Sequence, residues 1–216
     1  MKLYGFWRSL ASFRVRVALR LKQIPFEEVS VNLLAGGQHD PHFLAVNPQG
    51  AVPALEVQAG QMPLVQSMAI LDYLESAHPT PALLPTEPLE RARVLALAHL
   101  CASDSHPLVV PRVREYLQQT LQLDEPARNQ WLQHWTMRGL TAFERHMTSD
   151  PRAGRYAHGD EVTLADICLA SQVVGAQLFG CDLAPVPHVV RIHQALMQLP
   201  AFELSHPKRQ ADAPQS

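Results

Sequence analysis

Asn47-Pro48-Gln49-Gly50-Ala51-Val52-Pro53-Ala54-Leu55 is a turn-rich approach to a β-strand that carries a proline where the strand begins. Proline lacks a backbone N–H and tolerates a cis bond far better than other residues. An extended backbone beside Val52-Pro53 therefore offers free main-chain groups to a peptide-like ligand. Downstream, Val65-Gln66-Ser67-Met68-Ala69-Ile70 sets a polar pair at the first turn of a helix, where unsatisfied N–H groups bind carboxylates. A docking edge followed by an anion-binding helix start points to a site for a small peptide.

Working outward, Lys2 to Phe6 reads as a strand, and Ser12 to Lys22 as a helix with Val15, Ala18, Leu19 and Leu21 on a broad apolar face. Phe26 to Asn32 alternates and reads as a second strand. Gly36 to Pro41 is loop, and His42 to Val46 a short helix ended before Pro48. Ala54 to Val57 and Met62 to Val65 form a hairpin across Gln58-Ala59-Gly60-Gln61, and Ser67 to Ala77 is helical. The order βαβαββα specifies a mixed sheet with helices packed on it. This α/β domain occupies residues 1–80, and a proline-rich linker follows at 81–88. Residues 89–216 form an all-α domain, with helices at Leu89–Ser103, Val110–Gln122, Glu125–Met147, Leu164–Phe179 and Pro187–Gln198. Within it, Thr163 and Asp166 have the spacing of an N-cap and its third helical residue, with Val162 and Ile167 as a hydrophobic staple. Asp166 is therefore assigned to folding.

With 216 residues and a formal net charge of −2, the chain can bury a real core and carries no basic run suited to nucleic acid. No apolar stretch has the length of a membrane span, and the start lacks a signal peptide's long apolar core. Cys101, Cys168 and Cys181 are odd in number and widely spaced, which argues against a disulfide framework and for a reducing cytoplasm. No metal site is expected.

The βαβαββα unit with Val52-Pro53 before its third strand resembles the thioredoxin-like half of glutathione transferases, and Gln66-Ser67 and Thr163-x-x-Asp166 resemble the same superfamily. Trp7 to Leu19 and the tail Ala201 to Gln210 are similar to its zeta class. The resemblance spans essentially the whole chain. It implies a thioredoxin-like N-terminal domain, an all-helical C-terminal domain, glutathione as cofactor and a homodimer.

At the turn from the first strand into the first helix, unpaired N–H groups and the helix dipole would face a bound thiolate. Such surroundings lower a thiol's pKa, and a serine hydroxyl donating to the sulfur favours the anion further. Ser9 is the chosen catalytic donor; otherwise it only caps the helix. Ser12 is the alternative donor, although its place one turn on favours pairing with its own backbone. The zeta pattern here is Arg-Ser-Ser-Cys-Ser, whereas this chain has Arg8-Ser9-Leu10-Ala11-Ser12.

The resemblance further implies that Val52 pairs its backbone with the cysteinyl part of glutathione, and that Gln66 and Ser67 hold the γ-glutamyl end. Gln38 would lie near the glycine carboxylate, with His39 beside it as a minor candidate. His106 belongs to a segment that lines the glutathione site in the class, with Val109-Val110 where the class has an Asn pair. Arg8 and Arg112 supply cations suited to a dicarboxylate. A class arginine in a late helix is absent: the stretch reads Gln177-Leu178-Phe179.

The activity expected of these residues is glutathione-dependent cis–trans isomerisation of a maleyl-type keto-diacid, through a glutathione thiolate adduct. The alternative is a zeta-like transferase that conjugates or dehalogenates small electrophiles such as α-halo acids. A further alternative is a weakly catalytic glutathione-fold binding protein.

Overall fold

The computed structural model describes residues 1–214. The chain divides into two compact units, Met1–Ala82 together with Gln198–Ser216, and Leu83–Met197. The first holds β1 (Lys2–Gly5), α1 (Leu10–Leu21), β2 (Glu27–Ser30), α2 (Pro41–Val46), β3 (Ala54–Glu56), β4 (Leu64–Val65) and α3 (Ser67–Ala77). This is the βαβαββα order that the hydrophobic alternation specifies. The sheet runs β2-β1-β3-β4. β1 pairs with β2 in parallel, Gly5 opposite Ser30, and antiparallel with β3, Tyr4 opposite Ala54. β3 pairs antiparallel with β4, Ala54 opposite Val65.

Helix α1 starts two residues before the expected Ser12, because Ser9 serves as its N-cap and accepts a hydrogen bond from the Ser12 N–H at 3.1 Å. Helix α2 starts at Pro41, whose missing N–H costs nothing at a first helical position, with Asp40 as its cap. The segment read as loop before it folds into short 3-10 turns at Leu33–Ala35 and Gly37–His39.

Apolar residues alone do not explain the packing beneath α1. Arg16 is fully buried; its Nε donates to both oxygens of Glu28 (2.7 and 3.0 Å) and its Nη2 to Phe6 O (2.8 Å). Burial pushes this guanidinium below its ordinary value, and the Glu28 carboxylate pushes back. Lys22 is likewise buried, its ammonium donating to Glu75 (2.8 Å), His78 O (2.6 Å) and Pro81 O (2.8 Å). The proline-rich linker is thereby tied down where it leaves α3.

The segment after Gln198 differs from the expected boundary of an all-helical domain at 89–216. Helix α9 (Pro200–Glu203) joins the first unit because Phe202 is buried and its ring lies 6.5 Å from that of Phe13 on α1.

The second unit contains α4 (Pro88–His99), α5 (Pro111–Gln119), α6 (Glu125–Ser149), α7 (Leu164–Leu178) and α8 (Pro187–Met197). Helix α7 is buried along nearly its whole length, so it forms the centre of this unit. The α4 run does not continue as α-helix to Ser103: it passes at Leu100 into a π-helical turn ending at Ser105. That turn sets the buried Ser105 hydroxyl to donate to Trp135 O (2.8 Å) and to accept from Gln172 Nε2 (2.7 Å). Cys101 and Cys168 are buried and Cys181 half-buried, and none of the three is in a disulfide among the described residues. Among the described residues no helix is long and apolar enough to cross a membrane.

Candidate active site

Sheet topology gathers the segments of interest. β1 and β2 run in parallel, so the turns after Gly5 and Ser30 leave the same edge. β3 runs the other way, so Val52-Pro53, which precede it, stand at that edge, and β4 returns to it before Gln66-Ser67. The Phe6–Ser9 turn, the Gln38 loop, the Val52 approach and the α3 start therefore share one end of the sheet. Ligands bind at such an end in many α/β folds, because helix N-termini and free loop amides converge there.

At this end, Ser9 Oγ accepts from Ser12 N–H, while the serine's own hydroxyl hydrogen has no acceptor among the described residues. The hydroxyl can cap the helix and donate elsewhere at once. The N–H groups of Leu10 and Ala11, the first two helical residues, have no intrahelical acceptor. Ser12 is placed differently from the expectation. It is 0% exposed, its hydroxyl finds no partner, and its oxygen stands 3.4 Å from where a side chain on Gly5 would begin. This burial against β1 favours Ser9 over Ser12 as the hydroxyl that faces a ligand at the helix start.

The Val52–Pro53 peptide is cis, and neither main-chain group of Val52 makes a hydrogen bond among the described residues. Asn47 builds this approach: its Nδ2 donates to Ala51 O (2.6 Å) and its Oδ1 accepts from Gln49 N–H (3.1 Å). Gly50 follows with φ +61°, a left-handed conformation that suits glycine, and its Cα face lies against Gln38 O. Gln38 itself is 7% exposed; its amide nitrogen is 3.3 Å from His39 Nε2 and its Oε1 is buried without a partner. An orphaned buried oxygen in a polar loop fits a ligand that brings the missing donor.

Gln66 is the N-cap of α3 yet makes no side-chain cap bond, and its φ of +69° is a strained left-handed conformation for a residue with a Cβ. Its side chain instead donates to Gln49 Oε1 at 2.6 Å. Ser67 begins α3, is nearly buried, and its hydroxyl makes no hydrogen bond among the described residues.

Arg8, half-buried between Trp7 and Ser9, has no hydrogen-bond or ion-pair partner among the described residues. Arg112 and His106 belong to the helical unit. Arg112 is exposed at the second position of α5, and His106 opens a short 3-10 turn ending at Leu108. At the start of α7, Asp166 Oδ2 accepts from Thr163 N–H (2.9 Å) and Thr163 Oγ1 (2.8 Å), and its Oδ1 from Ala157 N–H (2.8 Å), in a capping box. Burial pushes its carboxyl up to about 6 despite those hydrogen bonds.

Sequence patterns missed some of the residues that hold this edge together. Asn47 carried a readable signal as an Asx turn before Pro48. Arg16 and Glu28 looked like ordinary charges, and nothing in the tail singled out Asp212, whose carboxylate accepts from Trp7 N–H (3.1 Å) and from Ser30 Oγ (2.6 Å).

Residues 1–76 match the family model described as Glutathione S-transferase, N-terminal domain. Maleylpyruvate isomerase of Ralstonia sp is 44% identical over 213 residues, covering 99% of this chain and 100% of that protein. Maleylacetoacetate isomerase of Pseudomonas aeruginosa is 42% identical over 216 residues, covering 99% of each. A holo structure of maleylpyruvate isomerase, a bacterial glutathione S-transferase in the zeta class, superposes with a TM-score of 0.96 at 43% identity, covering 99% of this chain and 100% of that one. Maleylacetoacetate isomerase of Methylobacterium extorquens AM1, solved with bound malonate and glutathione, gives a TM-score of 0.96 at 47% identity over 100% of both chains. Likeness of this degree extends over essentially the full length of both chains, and the chain belongs to the zeta class of the glutathione transferase superfamily.

Proposed function

We propose that this chain catalyses glutathione-dependent cis–trans isomerisation of a maleyl-type keto-diacid, maleylacetoacetate or maleylpyruvate, in aromatic catabolism, as a cytoplasmic homodimer. One observation carries the reading. The Ser9 hydroxyl accepts from the helix backbone and keeps its hydrogen unspent, at a helix start whose first N–H groups lack acceptors. Glutathione, when bound, supplies a thiolate able to add reversibly to a conjugated double bond, so that the bond turns as a single bond before the sulfur leaves.

The residues present fit that cofactor. Val52 offers an unpaired main-chain N–H and C=O to a peptide, and the Gln38 side-chain amide nitrogen is a donor suited to the glycine carboxylate. Gln66 and Ser67 hold polar side chains at the start of α3, where the helix dipole favours the γ-glutamyl carboxylate. Ser9 donates to the sulfur and keeps it ionised. Arg8 and Arg112 pair with the substrate's carboxylates, and His106 contributes to the glutathione site. The names of the full-length relatives support the isomerase reading, and exposed Met62 and Leu89 suit burial against a second copy.

Turnover of maleylpyruvate and maleylacetoacetate, measured with and without glutathione, tests the proposal. Isomerisation that requires glutathione without consuming it is expected; absence of glutathione-dependent turnover refutes it. A second reading is favoured by Leu178, an apolar residue at the end of α7 where an arginine would grip a carboxylate. On that reading the chain is a transferase acting on small electrophiles such as α-halo acids, and glutathione is consumed. Failure to bind immobilised glutathione would leave only the third reading, the fold used as an interaction module without glutathione chemistry.

A further inference from the structure

We propose that Asp212 is a positioning residue for the Ser9 turn, holding from the C-terminal segment the peptide group on which the serine's orientation depends. The inference rests on the glutathione-thiolate role of Ser9 proposed above. Its basis is one peptide unit, the Phe6–Trp7 link, which is gripped on both edges. On one edge Phe6 O accepts from Ser9 N–H (3.0 Å) and from the buried Arg16 Nη2 (2.8 Å). On the other, Trp7 N–H donates to Asp212 Oδ2 at 3.1 Å. A planar peptide held at both its C=O and its N–H cannot rotate about its flanking bonds.

Asp212 is itself held in place. The same Oδ2 accepts from Ser30 Oγ at 2.6 Å, and Ser30 lies opposite Gly5 in the sheet. The tail that delivers it is folded by Gln210, whose Nε2 donates to Leu204 O (2.9 Å) and His206 O (2.8 Å), and by Ala213 N–H donating to Gln210 O (3.0 Å). Without the carboxylate, the Trp7 amide loses its acceptor and the peptide can tilt, carrying the Phe6 O away from Ser9 N–H. Ser9 then loses its fixed orientation at the start of α1.

Geometry and charge make opposite predictions here. A carboxylate's charge near a thiolate disfavours ionisation, so removing charge alone would make the thiol more acidic. Removing the hydrogen-bond acceptor would misplace the donor and make it less acidic. The test titrates the thiolate absorbance of glutathione bound to the full chain and measures kcat and KM, for wild type, Asp212→Ala, Asp212→Asn and Ser30→Ala.

Asp212→Ala is expected to move the bound thiol's midpoint upward by roughly half a unit or more and to lower kcat about fivefold to tenfold, with glutathione KM changed less than about twofold. Asp212→Asn keeps an acceptor oxygen for Trp7 and stays within about twofold of wild type. Ser30→Ala, which leaves Asp212 in place with one support fewer, shifts the midpoint in the same direction by less. The inference is overturned if Asp212→Ala leaves midpoint and kcat unchanged, if its midpoint moves down, or if Asp212→Asn is as impaired as Asp212→Ala. A wild-type thiol ionising as in free solution overturns the glutathione-thiolate reading and this inference together. A normally activated wild type with an unaffected Asp212→Ala variant overturns the role of Asp212 alone.

Discussion

Replacing Ser9 separates its two uses. Its oxygen caps α1 by accepting from Ser12 N–H at 3.1 Å, and its hydrogen is free to donate. Loss of a serine cap to alanine costs about 1 kcal/mol of stability, whereas glycine at an N-cap costs only a few tenths. Loss of a hydrogen bond to an ionised sulfur is worth about 1.5–3 kcal/mol, which at 1.36 kcal/mol per factor of ten corresponds to roughly 10- to 150-fold in thiolate stabilisation. Ser9→Ala should therefore be less stable by about 1 kcal/mol and at least about tenfold slower. Ser9→Gly should recover most of the stability and none of the rate, since neither side chain can donate. Glutathione KM should change little in both, because Val52, Gln66 and Ser67 are untouched. Urea unfolding gives the first quantity, and initial rates of glutathione-dependent maleylpyruvate isomerisation give the second. Rates in Ser9→Gly that return with stability would show that the serine acts only as a cap. Unchanged rates in both variants would transfer activation to Ser12 or to the helix terminus alone.

Glu28→Ala should lower stability by about 3 kcal/mol, because it strands the buried Arg16 guanidinium with only Phe6 O as partner; a loss below about 1 kcal/mol in denaturant unfolding would contradict that account. Gly5→Ala should act through the same pair, since its new methyl would begin 2.6 Å from Glu28 Oε1, and a thermal midpoint equal to wild type would show that the carboxylate moves aside freely. Burial raises the Asp166 carboxyl to about 6 from 3.8, so the folded chain holds this proton more tightly than the unfolded one. Its contribution is then fully present below the unfolded value and fades as pH rises through 6, a change of about 3 kcal/mol. Asp166→Asn should remove that part of the pH dependence, and an identical slope of unfolding free energy against pH in the variant would refute it. Arg8→Ala should raise KM for the diacid about tenfold while leaving the bound thiol's titration in place. An unaltered KM would remove Arg8 from substrate recognition.

How far the sequence reaches is visible in particular residues. Thr163 and Asp166 are three apart, so their capping box is a local fact of helix geometry and was legible at once. Strand alternation and the turn at Asn47-Pro48 were legible for the same reason, and so were the α3 boundaries at Ser67 and Ala77. Even the shared edge of the sheet follows once βαβαββα is read with its hairpin. By contrast, whether Ser9 or Ser12 faces solvent depends on which side of α1 lies against Gly5, and that is settled by packing. The left-handed backbone at Gln66 and the orphaned oxygen of Gln38 carry no pattern in the chain, because tertiary contacts hold them there against local preference. Asp212 meets Trp7 and Ser30 across 205 and 182 positions of sequence, and Arg16 reaches back to Phe6 O as well as to Glu28. Period and spacing encode neighbours a turn or a pleat apart. Contacts over such separations exist only after the sheet has chosen its register and the tail has returned to α1, so the fold class lay in the chain itself while the grip on the Ser9 turn was decided in three dimensions.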